Sequence, residues 1–529
     1  MRESPSEATR PLQAAGALIA AVAIAIIAFR SLTGQLWMDE LLTLTLVQAN
    51  SLPKLWSGIA AGIDGNPPLY MTVAWLIAHA TPAALSSVAA LKLANLALTI
   101  AAIFALYRIG RRVASALACW IGTFLFAALN DNLIHAALEL RTYALYFLVA
   151  ALAVLFQQRL IERRRTGDLI VLALLYAGLT LTHTFGIVYV ACIALAGWLS
   201  QFRDRQLWRP AAMAVVPAIA VLACWIPVFL RQSALGQPYL WFGRPGLPEL
   251  LETLFASKPS MWIALVELYC LAGAAFSALR RRGLQFGAAL DDARWQPFRY
   301  VVLVLAGITG FTLTAWIVSV LLFPLFVPRY FTPQLIVGFA LHVAFGEWLV
   351  RVAKHRLKRG NGFTIAAVIV PPALLCAAML LRSPDRGEVC ANAAGAYFET
   401  EFVNGDLPVI TESPHVWLPR ATYAAHRTAY LFPLDWDVVL KYPERAKGNA
   451  VDYHVMDNLR DWGRIDGIMS TEDILGKYPQ FLVIEQSGRA WFHNLRTTRD
   501  VSAEKLAEVS SDDGQACTLW KVTSVKARP

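Results

Sequence analysis

Apolar stretches long enough to cross a bilayer recur between residues 12 and 381, and clusters of arginine and lysine separate them. A membrane helix needs about 20 mostly apolar residues. Lipid offers the backbone no hydrogen-bond partner, so each such stretch must satisfy its own peptide groups as a helix. Of the 529 residues, 57% are hydrophobic and 16% charged. A soluble fold of this length could not bury so much apolar surface, whereas a polytopic membrane protein has lipid as its solvent. The net charge of +10 invites a nucleic-acid reading, and its distribution argues against one. The basic residues cluster between apolar runs, as in Arg108-Ile109-Gly110-Arg111-Arg112, Arg163-Arg164-Arg165, Arg203 to Arg209, Arg280-Arg281-Arg282 and Arg351 to Arg359. Cytoplasmic loops follow that pattern under the positive-inside rule, and no nucleic-acid partner is expected.

Spans are expected near residues 12–30, 88–107, 113–129, 143–157, 211–230, 261–279, 300–320, 331–350 and 363–381. The stretch 168–200 lies between two basic clusters and must cross an even number of times, so it is split at Thr182-His183-Thr184. The total is about eleven crossings, with the N-terminus inside and the C-terminus outside. No small-residue cleavage site follows the first apolar stretch, which is therefore expected to stay as a span. Residues 31–87 form a long outer segment in which Leu41 to Val47 and Leu52 to Ile59 suit interfacial helices. Asn66-Pro67-Pro68-Leu69-Tyr70 opens a further helix, ending near Ala80 and too short to cross.

From Arg382 the chain turns polar. Leu407 to Ile410, Phe481 to Ile484 and Cys517 to Trp520 read as strands, and 415–425 and 503–509 as helices. The expected fold is thus a polytopic all-α membrane domain over 1–381, with about eleven transmembrane helices plus interfacial ones. A small extracytoplasmic α/β domain follows over 382–529. Cys390 and Cys517 flank that domain and are either a disulfide or two unrelated thiols. The other five cysteines lie in apolar spans and read as packing residues.

Under this topology the unusual polar groups gather on the outer face. Asp39, Glu40, Asp64 and Asn66 lie in the first outer segment, and Asp131, Glu139, Arg141 and Tyr143 in the second. His183, Arg231, Arg329 and Tyr330 sit at outer helix ends. A carboxylate there can take a proton from an acceptor hydroxyl or amine. Arginines can hold a departing phosphate through forked, charge-assisted hydrogen bonds. Each signal has a plainer reading. Asp39-Glu40 can be a solvated helix cap, Pro67-Pro68 a helix start, Glu139 and Arg141 ordinary loop charges. Arg329-Tyr330 can be a snorkelling pair at a helix end, and His183, His135 and His342 packing residues.

The order of these elements resembles the membrane-embedded C-type glycosyltransferases. The resemblance rests on a first span followed by Asp39-Glu40, then Pro67-Pro68-Leu69-Tyr70, then Glu139-Leu140-Arg141-Thr142-Tyr143 before a span, then Arg329-Tyr330. It covers roughly residues 10–350. The branch it resembles is the protein-mannosyltransferase-like group, which includes the lipid A aminoarabinose transferase and the rhizobial galacturonosyltransferases. The resemblance implies a polyprenyl-phosphate sugar donor, inverting transfer and an inner-membrane location. It implies catalytic roles for Asp39, Glu40 and Glu139, donor-phosphate contacts from Arg141, Arg329 and Tyr330, and substrate contacts from Asn66, Tyr70, Tyr143 and His183. Two departures stand out: Asn66 where many members have histidine before Pro-Pro, and no Trp-Trp-Asp or nearby Asp-x-Asp. No metal or other cofactor is expected. A lipid-linked-sugar flippase is the competing function, since it also handles such donors. It would need charge near mid-membrane, and little is visible in the spans. A degenerate relative serving as an envelope binding protein is the third.

Overall fold

The computed structural model describes residues 10–82, 85–201, 208–236, 243–256, 258–282, 296–356, 361–381, 389–391, 397–442, 449–463, 465–510 and 516–524. Arg203, Arg205, Lys358, Arg359 and the expected domain boundary at 382 lie outside them. The chain divides into two compact units. One contains Met1–Thr33, Asn66–Trp225 and Arg244–Pro384, the other Gly34–Gly65, Ile226–Gly243 and Asp385–Pro529.

The first unit is helical. Among the described residues, seven helices are long and apolar enough to cross a membrane, or up to nine if each of two bent pairs is one span. The chain is a multi-pass membrane protein. The expectation of about eleven crossings also counts Thr166–Thr182 and Gly186–Ser200, which are shorter apolar helices. They flank the break at His183, where the sequence placed it. Residues 131–138, expected as loop, form a helix bent by 76° from Ala116–Leu129. Asn130 explains the bend. Its Oδ1 accepts from Leu133 N at 3.0 Å and starts the new helix, which buries Leu133, Ile134, Ala136 and Ala137. The helix Ala116–Leu129 meets a later helix, Leu335–Arg356, at very close range. A Cβ on Gly122 would lie 2.6 Å from Val343 Cα, and one on Gly346 2.7 Å from Ala118 O. Small residues permit that approach, which dispersion between membrane helices rewards.

The second unit is a six-stranded α/β structure with added helices. Its strands are β1 (Val409–Ile410), β2 (Tyr430–Pro433), β3 (Ile468–Met469), β4 (Gln480–Gln486), β5 (Val501–Ser510) and β6 (Ala516–Ser524). They lie in the order β3-β2-β1-β4-β6-β5. The first four are parallel; β6 runs antiparallel to β4, and β5 antiparallel to β6. Ile410, Leu431, Phe481, Val483, Trp491 and Val522 fill the core. Residues 503–509, read as helical from their Ala, Glu, Lys and Leu, are in fact strand β5. Antiparallel pairing with β6 along one edge fixes these residues as a strand, and tertiary context overrides a weak propensity. The early helices Met38–Val47 and Leu52–Ala61 belong to this unit. The second is held by Trp462 Nε1 donating to Lys54 O at 2.8 Å and Asn458 Nδ2 donating to Ala61 O at 2.8 Å.

Cys390 and Cys517 form a disulfide with Cα atoms 5.5 Å apart, closing 127 residues of sequence. In the chain-entropy account, a loop of that length stabilises by about 5 kcal/mol. Replacing both cysteines by serine is expected to lower the melting temperature of this unit sharply. Reducing agent should do the same to the parent protein and leave the double variant unmoved, which scanning calorimetry will check.

Between β1 and β4 the strand order reverses, and Glu412 is buried there. Its Oε2 accepts from Trp491 N at 2.7 Å. Burial pushes its pKa up to about 7, against a smaller opposing pull from Arg489. The unfolded carboxyl loses its proton near 4.5, so between that pH and 7 the native state holds a proton the unfolded chain has released. Stability from this group is full below 4.5 and falls as pH rises through 7, by about 3 kcal/mol in all. Glu412→Gln keeps an acceptor for Trp491 N and removes the ionisation. The variant is expected to melt higher than the parent at pH 8 and equally at pH 4.5; equal melting at both would exclude this account.

Candidate active site

One end of the helical unit gathers most of the sequence-derived site residues. The 3-10 segment Pro328–Gln334, carrying Arg329 and Tyr330, packs against the helices Tyr143–Arg163 and Asp131–Leu138. Pro328 at its start and Pro333 within it keep the segment from continuing as an α-helix. Arg141 and Thr142 precede the helix Tyr143–Arg163, and Thr142 Oγ1 donates to Thr182 O at 2.9 Å. That bond ties the second polar loop to the break at His183.

His183 is buried. Its ring stacks on Tyr146 with centroids 4.7 Å apart and sits 5.3 Å from Tyr330. Its Nδ1 lies 3.1 Å from Phe185 N and accepts that proton, so a neutral ring carries its hydrogen on Nε2. It sits in the turn between two helices, where burial first and the Arg141 guanidinium second lower its pKa to about 3. The imidazole is therefore neutral at ordinary pH, and Arg141 is close enough to act on it. Phe185, Tyr189, Phe311 and Phe331 extend the aromatic wall.

Glu139 ends the short helix Asp131–Leu138 and is buried. Its carboxylate Oε1 is 3.6 Å from His135 Nδ1. Its backbone carbonyl accepts from Asn95 Nδ2, and Asn95 Nδ2 also lies 3.2 Å from Tyr70 Oη. Tyr70, Asn95 and Glu139 thus form one buried polar link across three helices. Tyr143 is buried at the head of its helix, and Asn66 is half-buried. The structure brings together Tyr70, Glu139, Arg141, His183 and Tyr330 by way of Asn95, Thr142 and Thr182. Thr142 and Thr182 lie within runs that the sequence marks for other residues, and Asn95 is marked by none. A lone asparagine inside an apolar span was the available signal for Asn95.

Asp39 and Glu40 begin the helix Met38–Val47 in the second unit. Glu40 is buried, and its Oε2 accepts from Trp37 N at 3.1 Å. The carboxylate caps its own helix, satisfying one of the amides that a helix start leaves open. Asp39 is half-buried, and its carbonyl accepts from Thr43 Oγ1 at 3.0 Å. Within the same unit, Trp37 stacks on His415 at 6.3 Å, and Leu36 N donates to Tyr423 Oη at 3.1 Å. Asp64 is buried, with its carbonyl accepting from Gln232 Nε2 at 3.2 Å, and Arg231 is exposed.

The spans hold more polar groups than the sequence reading allowed. Glu267 Oε1 lies 2.7 Å from His342 Nδ1 with both side chains buried, so His342 is more than an isolated packing residue. Arg159 Nη2 pairs with the buried Asp168 at 2.8 Å. Glu267 and His342 are 75 residues apart, so no local pattern announces that pair; Arg159 and Asp168 lie on either side of one inter-helix turn, and only the fold shows that they meet.

No family model matches the sequence, and no curated protein matches it. Among solved structures it is similar to ArnT from Cupriavidus metallidurans bound to undecaprenyl phosphate, with 13% identity and a TM-score of 0.55. It is equally similar to the apo state of that protein, with 14% identity and the same TM-score. Both matches cover 95% of this chain and 97% of the other. The chain therefore has the fold of ArnT.

Proposed function

We propose that this protein is a membrane glycosyltransferase that moves a sugar from a polyprenyl-phosphate carrier to an acceptor on the periplasmic side of the inner membrane. In this reading residues 1–381 are the membrane domain and 382–529 the extracytoplasmic one. The observation that carries it is the cluster of Glu139, Arg141, His183 and Tyr330 at one end of a helical unit, in a fold solved elsewhere with undecaprenyl phosphate. Arg141 and Arg329 hold the phosphate that leaves, through charge-assisted hydrogen bonds in a partly dry site. His183, kept neutral, orients rather than charges that wall. Asp39 takes the proton of the acceptor hydroxyl or amine as its oxygen or nitrogen attacks the anomeric carbon. The carbon–oxygen bond to the phosphate breaks with inversion, and the polyprenyl phosphate departs with the bonding pair. Glu139 supports the acceptor, and Glu40 holds the start of the helix that presents Asp39.

A flippase remains the second reading, because the buried Glu267–His342 pair supplies the intramembrane charge such a protein uses. Mass spectrometry of lipid co-purifying with the detergent-solubilised protein tests the transferase. A polyprenyl phosphate, consumed from its sugar-loaded form when acceptor extract is added, is the expected result. Translocation of that lipid across liposomes without bond cleavage would establish the flippase instead.

A further inference from the structure

The α/β unit contains a polar cavity that no role above uses. It has a volume of about 480 Å³ and lies beyond the carboxyl ends of β2 and β3, beside the helix Trp491–Thr498. The cavity lies on the carboxyl-end side of the parallel strands, the side on which open parallel sheets bind ligands, though one strand away from the β1–β4 reversal; its volume falls within the usual range of about 300–1,000 Å³ for small-molecule sites. Part of the wall is set before any ligand arrives. Thr471 Oγ1 donates to Asp435 Oδ2 at 2.6 Å and accepts from Trp491 Nε1 at 2.8 Å, and Asp435 Oδ1 accepts from Val438 N at 3.3 Å. A preformed wall reduces the ordering cost of binding.

The remaining lining sets the chemistry of the occupant. Asp437 and Lys441 are exposed on one side, Asn494 and Thr498 face from the other, and Trp436 and Trp491 supply apolar wall. Asp435, Asp437 and Glu472 outweigh Lys441 and Arg499 in charge, and Arg499 is already paired with Glu472. That single net negative charge disfavours a polyanion such as nucleic acid. Side chains that both donate and accept, set beside indole rings, match a ring bearing several hydroxyls.

We propose that this cavity binds a carbohydrate unit, neutral or amino-substituted, of the acceptor; the assignment of that unit to the acceptor rests on the transferase reading. The site would hold the acceptor by a part that does not react. Its occupancy then sets the acceptor KM and leaves donor binding unchanged.

The test uses the full chain in detergent micelles and a printed panel of neutral, amino-substituted and acidic mono- to tetrasaccharides, with undecaprenyl phosphate binding measured in parallel. The parent protein is expected to retain neutral or amino-substituted members. Asp437→Ala with Asn494→Ala, both at accessible positions, should weaken the best of them at least tenfold and leave undecaprenyl phosphate binding as in the parent. Hydrogen exchange on the unmutated protein supplies a readout independent of the variant, with protection by the bound sugar expected over 434–441 and 491–499. Retention of no sugar while undecaprenyl phosphate still binds would overturn the cavity assignment and spare the transferase. So would protection confined to other segments. Sugar binding at the cavity without any affinity for undecaprenyl phosphate would support the site and count against the transferase.

Discussion

Asp39→Asn is expected to lower the rate of sugar transfer by about 10²–10⁴-fold, the usual worth of a positioned general base. The amide keeps the size and one acceptor oxygen of the carboxylate, so the helix Met38–Val47 should form as before. The neighbour provides the control. Glu40 caps that helix through Trp37 N, and Glu40→Ala should cost about 1 kcal/mol of stability with far less effect on turnover. Paired measurements of kcat and thermal melting separate the two carboxylates. Parental turnover in Asp39→Asn would remove the base from this position. A loss in Glu40→Ala matching that in Asp39→Asn would mean that the helix start, rather than the proton, matters.

Arg141→Gln is expected to reduce kcat by about 10²–10³-fold, because a donor aimed at the charge that develops on the leaving phosphate acts mainly in the transition state. Arg329→Gln should behave alike. Arg141 offers a second readout. Its guanidinium is one of the two causes that hold the His183 pKa near 3. Removing it should let that pKa rise, though burial, the larger cause, keeps it below 6.5. Nitrogen-15 NMR of labelled histidine would follow the shift. A lost rate with an unmoved His183 would place Arg141 away from the imidazole; a moved His183 with a full rate would make the arginine structural.

Much of the fold was legible because lipid imposes a simple rule. Apolar length marked the helices, and the break at Thr182-His183-Thr184 was found from two basic clusters that must share a side. The Asn130 bend was not legible as such. Asn130-Asp131-Asn132 reads as a loop, and the same asparagine side chain that favours turns also caps helices. Strand β5 was missed because its residues favour helices when isolated, and β6, which decides the matter, follows in the hairpin. In the site, Glu139, Arg141 and Arg329 stood out as charges at span ends. Asn95, which ties Glu139 to Tyr70, did not, since a side chain buried by distant helices leaves no local pattern. Glu40 stood out as one of an acidic pair, and only the Trp37 amide reveals that its carboxylate is engaged at home.

Composition and periodicity by themselves determined that the chain is a multi-pass helical membrane protein ending in an α/β region, because the hydrophobic and hydrogen-bonding demands of lipid act on every residue in turn. Tertiary structure alone decided which polar groups meet: Tyr70 with Asn95 and Glu139, His183 with Tyr330, Glu267 with His342, Cys390 with Cys517. Such pairs are set by how helices and strands remote in sequence pack, and packing depends on the shapes of whole surfaces that no single segment contains.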